Sequence, residues 1–298
     1  QMAGRAGRRG IDERGYVFTL ADFNYFVPDE FPTMLEDDIE PLRSRFSVSY
    51  NTVLNLVRKY SDEEIRDILR KNFATFQGER EREKWRQALA AARSRLEKLE
   101  KEGANPKARR AVRRRIRTLE RNLAAISPAE RYALEFEAKK RLLEQLDYVR
   151  DGQLTARGEF ASLINIQELL VTELFFAGWF HQLDEDQINA LAVSIDYEPR
   201  KSEGRYPHNA CDVKAVEREV KRLVRLEMEM VGESSVRFND HVAQLAYRWS
   251  RGEEFSRLLR GAYQDEGDIV YALRRGIDLL RQVRFACRDD EVLRAKLQ

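Results

Sequence analysis

The densest chemistry in the chain lies in its first ten residues, QMAGRAGRRG. Gln1, Gly4, Arg5, Gly7, Arg8 and Gly10 stand in the order Gln-x-x-Gly-Arg-x-Gly-Arg-x-Gly. Glycines let a backbone approach a polyphosphate closely. Two arginines three apart can set two guanidinium forks on one anion. An arginine aimed at a transferring phosphoryl group stabilises charge that develops in the transition state, worth roughly 10³–10⁵ in rate. The competing reading of a Gly/Arg run is a flexible basic loop or an RNA-binding tract. The leading Gln1 and the apolar run Tyr16-Val17-Phe18-Thr19-Leu20 favour the phosphate reading, because they describe a loop entering a buried strand. One strand is not a domain. A chain that opens on Gln inside such a motif reads as a piece of a longer protein.

The elements behind this loop are helical. Val53, Leu54, Leu56 and Val57 mark one helical face, and Ser61-Asp62-Glu63-Glu64 is a capping box ahead of Ile65, Ile68, Leu69 and Phe73. Trp85, Leu89, Ala92, Leu96 and Leu99 recur at spacings of 4, 3, 4, 3, and so do Val112, Ile116, Leu119, Leu123 and Ile126. The breaker cluster Gly103-Ala104-Asn105-Pro106 separates them. Folding about that turn sets Leu99 beside Val112, Ala92 beside Leu119 and Trp85 beside Ile126, one constant register. An antiparallel helical hairpin over 79–126 is therefore expected. Pro128–Leu146 reads as a further helix, and Asp151-Gly152 between two short extended pieces signals a tight β-hairpin. Helix, small hairpin, helix is the ending of a winged-helix unit that the helical hairpin interrupts. The rest is expected to be helical, with Phe160–Phe180, Asp184–Ile195, Val213–Met230, Asp240–Trp249 and Gly267–Phe285 the main segments. The fold class is mainly α.

Composition excludes several classes. The chain has 298 residues, 43% hydrophobic and 35% charged, enough for a core with long solvated helices. Lys+Arg is 53 and Asp+Glu 51, so any nucleic-acid surface must be local. The most apolar window, Leu169–Phe180, is too short to span a bilayer and reads as a buried helix, and no membrane partner is expected. Two cysteines, Cys211 and Cys287, fit a reducing, cytoplasmic compartment. Three scattered histidines argue against a metal site. The local basic excess is in the hairpin: between Glu79 and Arg121 there are 16 Lys/Arg against 7 Asp/Glu. Arg109, Arg110, Arg113 and Arg114 lead this stripe, which would bind phosphates without regard to sequence and with steep salt dependence. Its alternative is a solvated face paired with Glu97, Glu100 and Glu102 of the first arm. Arg274 and Arg275 lie on the last long helix, whose apolar stripe is Ile269, Leu273, Ile277, Leu280 and Val283. By geometry alone they are exposed surface arginines.

The opening loop resembles motif VI of superfamily-two helicases, in the form used by superkiller-type DExH-box RNA helicases. The resemblance continues through Leu42-x-Ser44-x-Phe46-x-Val48-Ser49-Tyr50-Asn51 and Leu54-Asn55-Leu56, similar to the start of that family's winged helix. Trp249, Gly252, Phe255, Glu266-Gly267-Asp268-Ile269-Val270 and Arg274-Arg275 resemble its closing DSHCT helical domain. The family often has an arginine where Tyr271 stands. The resemblance implies the end of a second RecA-like domain at 1–30, a winged helix at 31–78 and 127–158, a coiled-coil arch at 79–126 and a DSHCT-like bundle at 159–298. It implies that Gln1, Gly4 and Gly7 contact a nucleotide and that Arg5 and Arg8 face its γ-phosphate. It also implies that Arg274 and Arg275 touch RNA on a 3′-to-5′ path. ATP and Mg²⁺ are the implied cofactors. No Gly-x-x-x-x-Gly-Lys-Ser/Thr and no DExH box occur, so this stretch alone is not expected to hydrolyse ATP. RNA is the implied partner, with the arch touching RNA or docking an exonuclease or a ribosome-associated protein. The rivals are a repair-type DNA helicase and a non-enzymatic docking module.

Overall fold

The structure is a computed structural model that describes residues 6–8, 10–18, 42, 44–103, 105–200, 203–204 and 213–298. The sites expected at Gln1, Gly4 and Arg5 lie outside these residues. The chain divides into two compact units, Gln1–Arg45 and Phe46–Gln298.

In the first unit the expected buried strand is absent from the described part. Residues 16–18 are irregular and exposed, Phe18 at 92%. A strand needs a neighbour for its N–H and C=O groups, and no strand lies beside this one among the described residues. Thr19 and Leu20 fall outside the description.

The second unit is helical. It opens with α1 (Tyr50–Lys59), α2 (Asp62–Arg70) and the long α3 (Phe73–Lys101). Their starts are written in the sequence: Ser49, Ser61 and Asn72 each accept a first-turn N–H, and Glu64 closes the box at Ser61. Asn105 caps α4 (Pro106–Ala124) and Ser127 caps α5 (Pro128–Gln145), each with proline in the first turn. The strands β1 (Val149–Arg150) and β2 (Gln153–Leu154) pair antiparallel. Asp151 and Gly152 both take positive φ (51° and 74°), the conformation such a two-residue turn requires.

The segment expected to run as one helix over 160–180 is three. These are α6 (Ala156–Ser162), α7 (Glu168–Phe176) and α8 (Trp179–Gln182). The breaks sit at Gln167 (φ 48°) and Gly178 (φ 83°), both left-handed. The first break is held from outside. The Asn51 side chain donates to the carbonyls of Ser162 (2.8 Å) and Ile164 (2.9 Å), and Gln282 accepts from the N–H of Asn165 (2.7 Å). Tertiary hydrogen bonds here outweigh helical propensity. The chain closes with α9 (Glu185–Asp196), α10 (Val213–Met230), α11 (Ala243–Ser250), α12 (Phe255–Leu259), α13 (Glu266–Ala286) and α14 (Glu291–Lys296).

One hydrophobic core runs through this unit. It joins Tyr50, Leu54 and Phe136 to Tyr148, Leu170, Leu191, Leu279 and Val283. A smaller cluster packs Leu245, Leu258, Ile269 and Leu273. Glu173 on α7 ties the parts together, accepting from Tyr148 (3.0 Å), Arg157 (2.5 Å) and Arg222 (2.8 Å). On α13, Ile277 leaves the expected apolar stripe and faces solvent, while Ala272, Gly276 and Leu279 join the buried side. The crossing with α9 explains the choice of glycine. A Cβ on Gly276 would lie 2.6 Å from Val193.

Candidate nucleic-acid interface

In the opening loop, Arg8 is held by Asp12. Its backbone N–H and guanidinium donate to the Asp12 carboxylate at 2.7 and 3.1 Å. Those bonds hold the Asp12 carboxyl below its usual range. The Arg8 side chain remains 71% exposed, so an arriving anion can compete with an exposed carboxylate for it. Gly7 has a structural reason beside the expected nucleotide contact. Its φ is +82°, and a Cβ there would stand 3.0 Å from Gly15. Sequence reasoning passed over Asp12. Its signal is the Arg8-x-x-x-Asp12 spacing, which lets a carboxylate fold back onto the loop.

The hairpin is built from α3 and α4 packed antiparallel. Ala92 and Leu119 are its buried centre, with Leu89, Leu96, Leu99, Val112, Ile116 and Leu123 partly buried along the same seam. Ile126, expected to pair with Trp85, is 61% exposed beyond the end of α4. Arg82 closes this end, donating to the carbonyls of Leu123 and Ala125 at 2.9 Å each. Those carbonyls lie at the C-terminus of α4, where a cation also complements the helix dipole. Two ion pairs cross the arms, Arg93–Glu120 and Arg113–Glu100, both at 2.7 Å.

Of the four hairpin arginines singled out, the structure divides the roles. Arg113 is paired with Glu100 and Arg109 is half-buried at the flank of the seam. Arg110 and Arg114 are exposed. Arg117 and Arg121 join them. Each of these four stands two positions before a seam residue (Val112, Ile116, Leu119, Leu123), about 200° round the helix. They therefore form one stripe opposite the seam. Among the described residues none of the four side chains makes an ion pair or hydrogen bond. Like charges at i,i+3 and i,i+4 oppose the helix by about 0.2–0.5 kcal/mol per pair. The stripe thus weakens the isolated hairpin. The phase of the seam was the signal that identifies Arg117 and Arg121.

The third region is the exposed side of α13. Arg274 is exposed, and Tyr271 is 65% exposed beside a recess lined by Gly267, Val270 and Asp278. Arg275 turns inward. It pairs with Asp196 on α9 and its guanidinium lies 6.0 Å from the Tyr271 ring centre. Behind it a cavity of about 350 Å³ is lined by Asp196, Tyr197, Glu198, Arg200, Glu203, Arg237, Asp268 and Arg275. Its charges are matched internally: Arg237 meets Glu198 at 2.8 Å, and Arg200 meets Asp268 at 2.6 Å. Glu203 is pushed up by burial, but bonds from Tyr197, the Arg200 N–H and Gln264 outweigh this and hold it below the usual carboxylate range. Among the described residues the cavity offers no free cation to a phosphate. The open face of α13 offers Arg274.

Among the described residues no helix is long and apolar enough to cross a membrane.

Residues 151–298 match the DSHCT (NUC185) domain. The DExH-box ATP-dependent RNA helicase DExH10 of Arabidopsis thaliana is 29% identical over 174 residues, 54% of this chain and 17% of the plant protein. The exosome RNA helicase MTR4 of Homo sapiens is 44% identical over 79 residues, 26% of this chain and 7% of its own length. The probable helicase HelY of Mycobacterium tuberculosis strain H37Rv is 36% identical over 80 residues, 27% of this chain and 9% of its own length. The chain thus spans less than a fifth of the length of these relatives. Residues 151–298 thus carry a DSHCT domain, and the chain is similar to the C-terminal portion of superkiller-type DExH-box RNA helicases.

Proposed function

We propose that the chain is the RNA-handling part of an ATP-dependent helicase that unwinds or translocates RNA in processing or decay. The observation that carries this is the DSHCT domain joined, through one continuous core, to the helical unit before it. In this reading residues 1–30 end a RecA-like domain. Residues 31–78 and 127–158 are a winged helix, 79–126 an arch, and 159–298 the helical bundle. The packing of α1, α2 and α5 around the β1–β2 hairpin supports the winged helix.

ATP with Mg²⁺ supplies the phosphoryl transfer that drives such a motor. This chain's contribution is electrostatic. Arg5 and Arg8 face the γ-phosphate, with Gln1, Gly4 and Gly7 along the nucleotide. The exposed Arg8 guanidinium exchanges its Asp12 partner for phosphate oxygens. Exposed Arg274, with Arg275 set behind it by Asp196, borders the RNA path. The human relative's name places that protein with the exosome. A nuclease partner for the arch, and a cytoplasmic site of action, are the corresponding proposals here.

The test is strand separation by the full-length protein, with ATP, on RNA and DNA duplexes bearing 3′ tails. RNA unwinding dependent on ATP supports the reading. Unwinding confined to DNA overturns it in favour of a repair-type enzyme.

A further inference from the structure

We infer that the outward stripe of α4, Arg110, Arg114, Arg117 and Arg121, is a docking surface for the phosphate backbone of duplex nucleic acid. The inference rests on the nucleic-acid reading above and adds a second contact, distant in sequence from α13. The four guanidinium groups lie on one face of one helix, and Lys107 extends that face toward the tip. No acidic residue interrupts it. Glu120, the single acid of α4, sits to the side and is taken by Arg93. The outward face of α3 is different, mixing Glu83 and Glu97 with Lys98 and Lys101. The hairpin is therefore polarised, with one arm presenting cations alone.

The chemistry of that face narrows the ligand. Beside the arginines it carries only small residues such as Ala111 and Thr118. It has no aromatic ring, so it cannot stack unpaired bases as single-strand surfaces do. It has no apolar anchor of the kind that dominates protein interfaces or seats a helix in a membrane surface. A straight row of guanidinium groups matches a regular row of phosphates. A duplex presents the densest such row, about one charge per 1.7 Å of axis. Binding at this stripe is accordingly blind to sequence and steep in salt. It also relieves the repulsion among the arginines.

The experiment measures binding of the 298-residue chain to a blunt RNA duplex and to a single-stranded RNA of equal length across a salt series. It compares the parent with a variant changed at Arg110, Arg114, Arg117 and Arg121 to Gln, and with Arg113→Gln as a control. Thermal unfolding verifies that each variant folds. The expected result for the fourfold variant is a loss of at least tenfold in duplex affinity at low salt and a salt slope reduced by about 3.6, since each of the four phosphate contacts contributes about 0.9. Arg113→Gln changes the slope by less than one. Single-strand binding falls less than duplex binding. A folded fourfold variant with the parent's duplex affinity and slope overturns the stripe and leaves the RNA reading standing. A parent that binds neither RNA overturns both. Binding of polyglutamate in place of the duplex, lost in the same variant, overturns the nucleic-acid assignment in favour of an acidic protein partner.

Discussion

Glu100 on α3 and Arg113 on α4 meet at 2.7 Å across the hairpin, thirteen positions apart. Arg93 and Glu120 meet at the same distance, twenty-seven positions apart. Seven residues down one arm are thus matched by seven up the other, a single antiparallel register. Both pairs are solvent-exposed, so each stabilises by about 0.2–1 kcal/mol at most. Glu100→Arg is expected to lower the melting temperature slightly. Adding Arg113→Glu restores it, and a double-mutant cycle by thermal unfolding measures the coupling.

The base of the hairpin is less forgiving. A Cβ on Gly78 would stand 2.3 Å from Pro128 Cγ, so the Gly78 backbone of α3 lies directly against the proline ring in the first turn of α5. Gly78→Ala is expected to destabilise by about 1–3 kcal/mol through overpacking. Pairing it with Pro128→Ala recovers part of the loss in denaturant midpoint.

Asn51 satisfies two carbonyls that the end of α6 leaves unpaired. Asn51→Ala is expected to destabilise by about 1–3 kcal/mol, because the Ile164 carbonyl loses its side-chain donor and the Ser162 carbonyl keeps only the longer bond from Asn55 (3.5 Å). Asn51→Asp does no better, since a carboxylate cannot donate to them. Urea unfolding of the three proteins tests this.

Acid stability follows from the caps. The N–H of Ser61, and then its hydroxyl, hold Glu64 below its ordinary value of 4.5, and Ser127 does the same for Glu130. The Leu293 N–H and then His181 hold Asp290 below 3.8. A carboxyl whose folded pKa is depressed stabilises while ionised. Its contribution is whole above the ordinary value and is lost as pH falls through the lowered folded value. The melting temperature should therefore decline below pH 4.5. Glu64→Gln with Glu130→Gln should flatten that decline, since glutamine keeps the capping geometry without titrating.

The opening loop predicts a split phenotype. In the full-length protein Arg8→Ala is expected to reduce RNA-stimulated ATP hydrolysis by about 10³-fold or more, as for other arginines on a transferring phosphoryl group. Melting temperature and RNA affinity should stay at parent values. Equal loss of affinity and turnover would instead mark Arg8 as an RNA contact.

Local rules carried much of this fold into the sequence. The 4-3-4-3 spacing announces the hairpin, Ser61 and Ser127 announce their helices, and Asp151-Gly152 announces its turn. What stayed hidden depends on partners far along the chain. Nothing local in Ile164-Asn165-Ile166-Gln167 says that the helix stops there; Asn51 and Gln282 decide it. Arg275 reads like its neighbour Arg274 until Asp196, seventy-nine positions earlier, draws it inward. The run at 16–18 has strand composition but no ladder partner among the described residues. For the candidate site, the basic stretch was legible, but its division into paired Arg113 and unpaired Arg110 and Arg114 needed Glu100 of the first arm.

The unbroken course of α3 has a mechanical consequence. It begins at the Asn72 cap, buries Thr75 in the body, and runs 29 residues to the tip without a break. At about 1.5 Å per residue this is a rod of about 43 Å, and a tilt of about 10° at its foot swings the far end by about 7 Å. With Arg82 latching the returning arm, the rod has no elbow at which to absorb that swing. Whatever the tip grips will be dragged whenever the body rocks, and a load on the tip will be felt at Asn72 and Thr75.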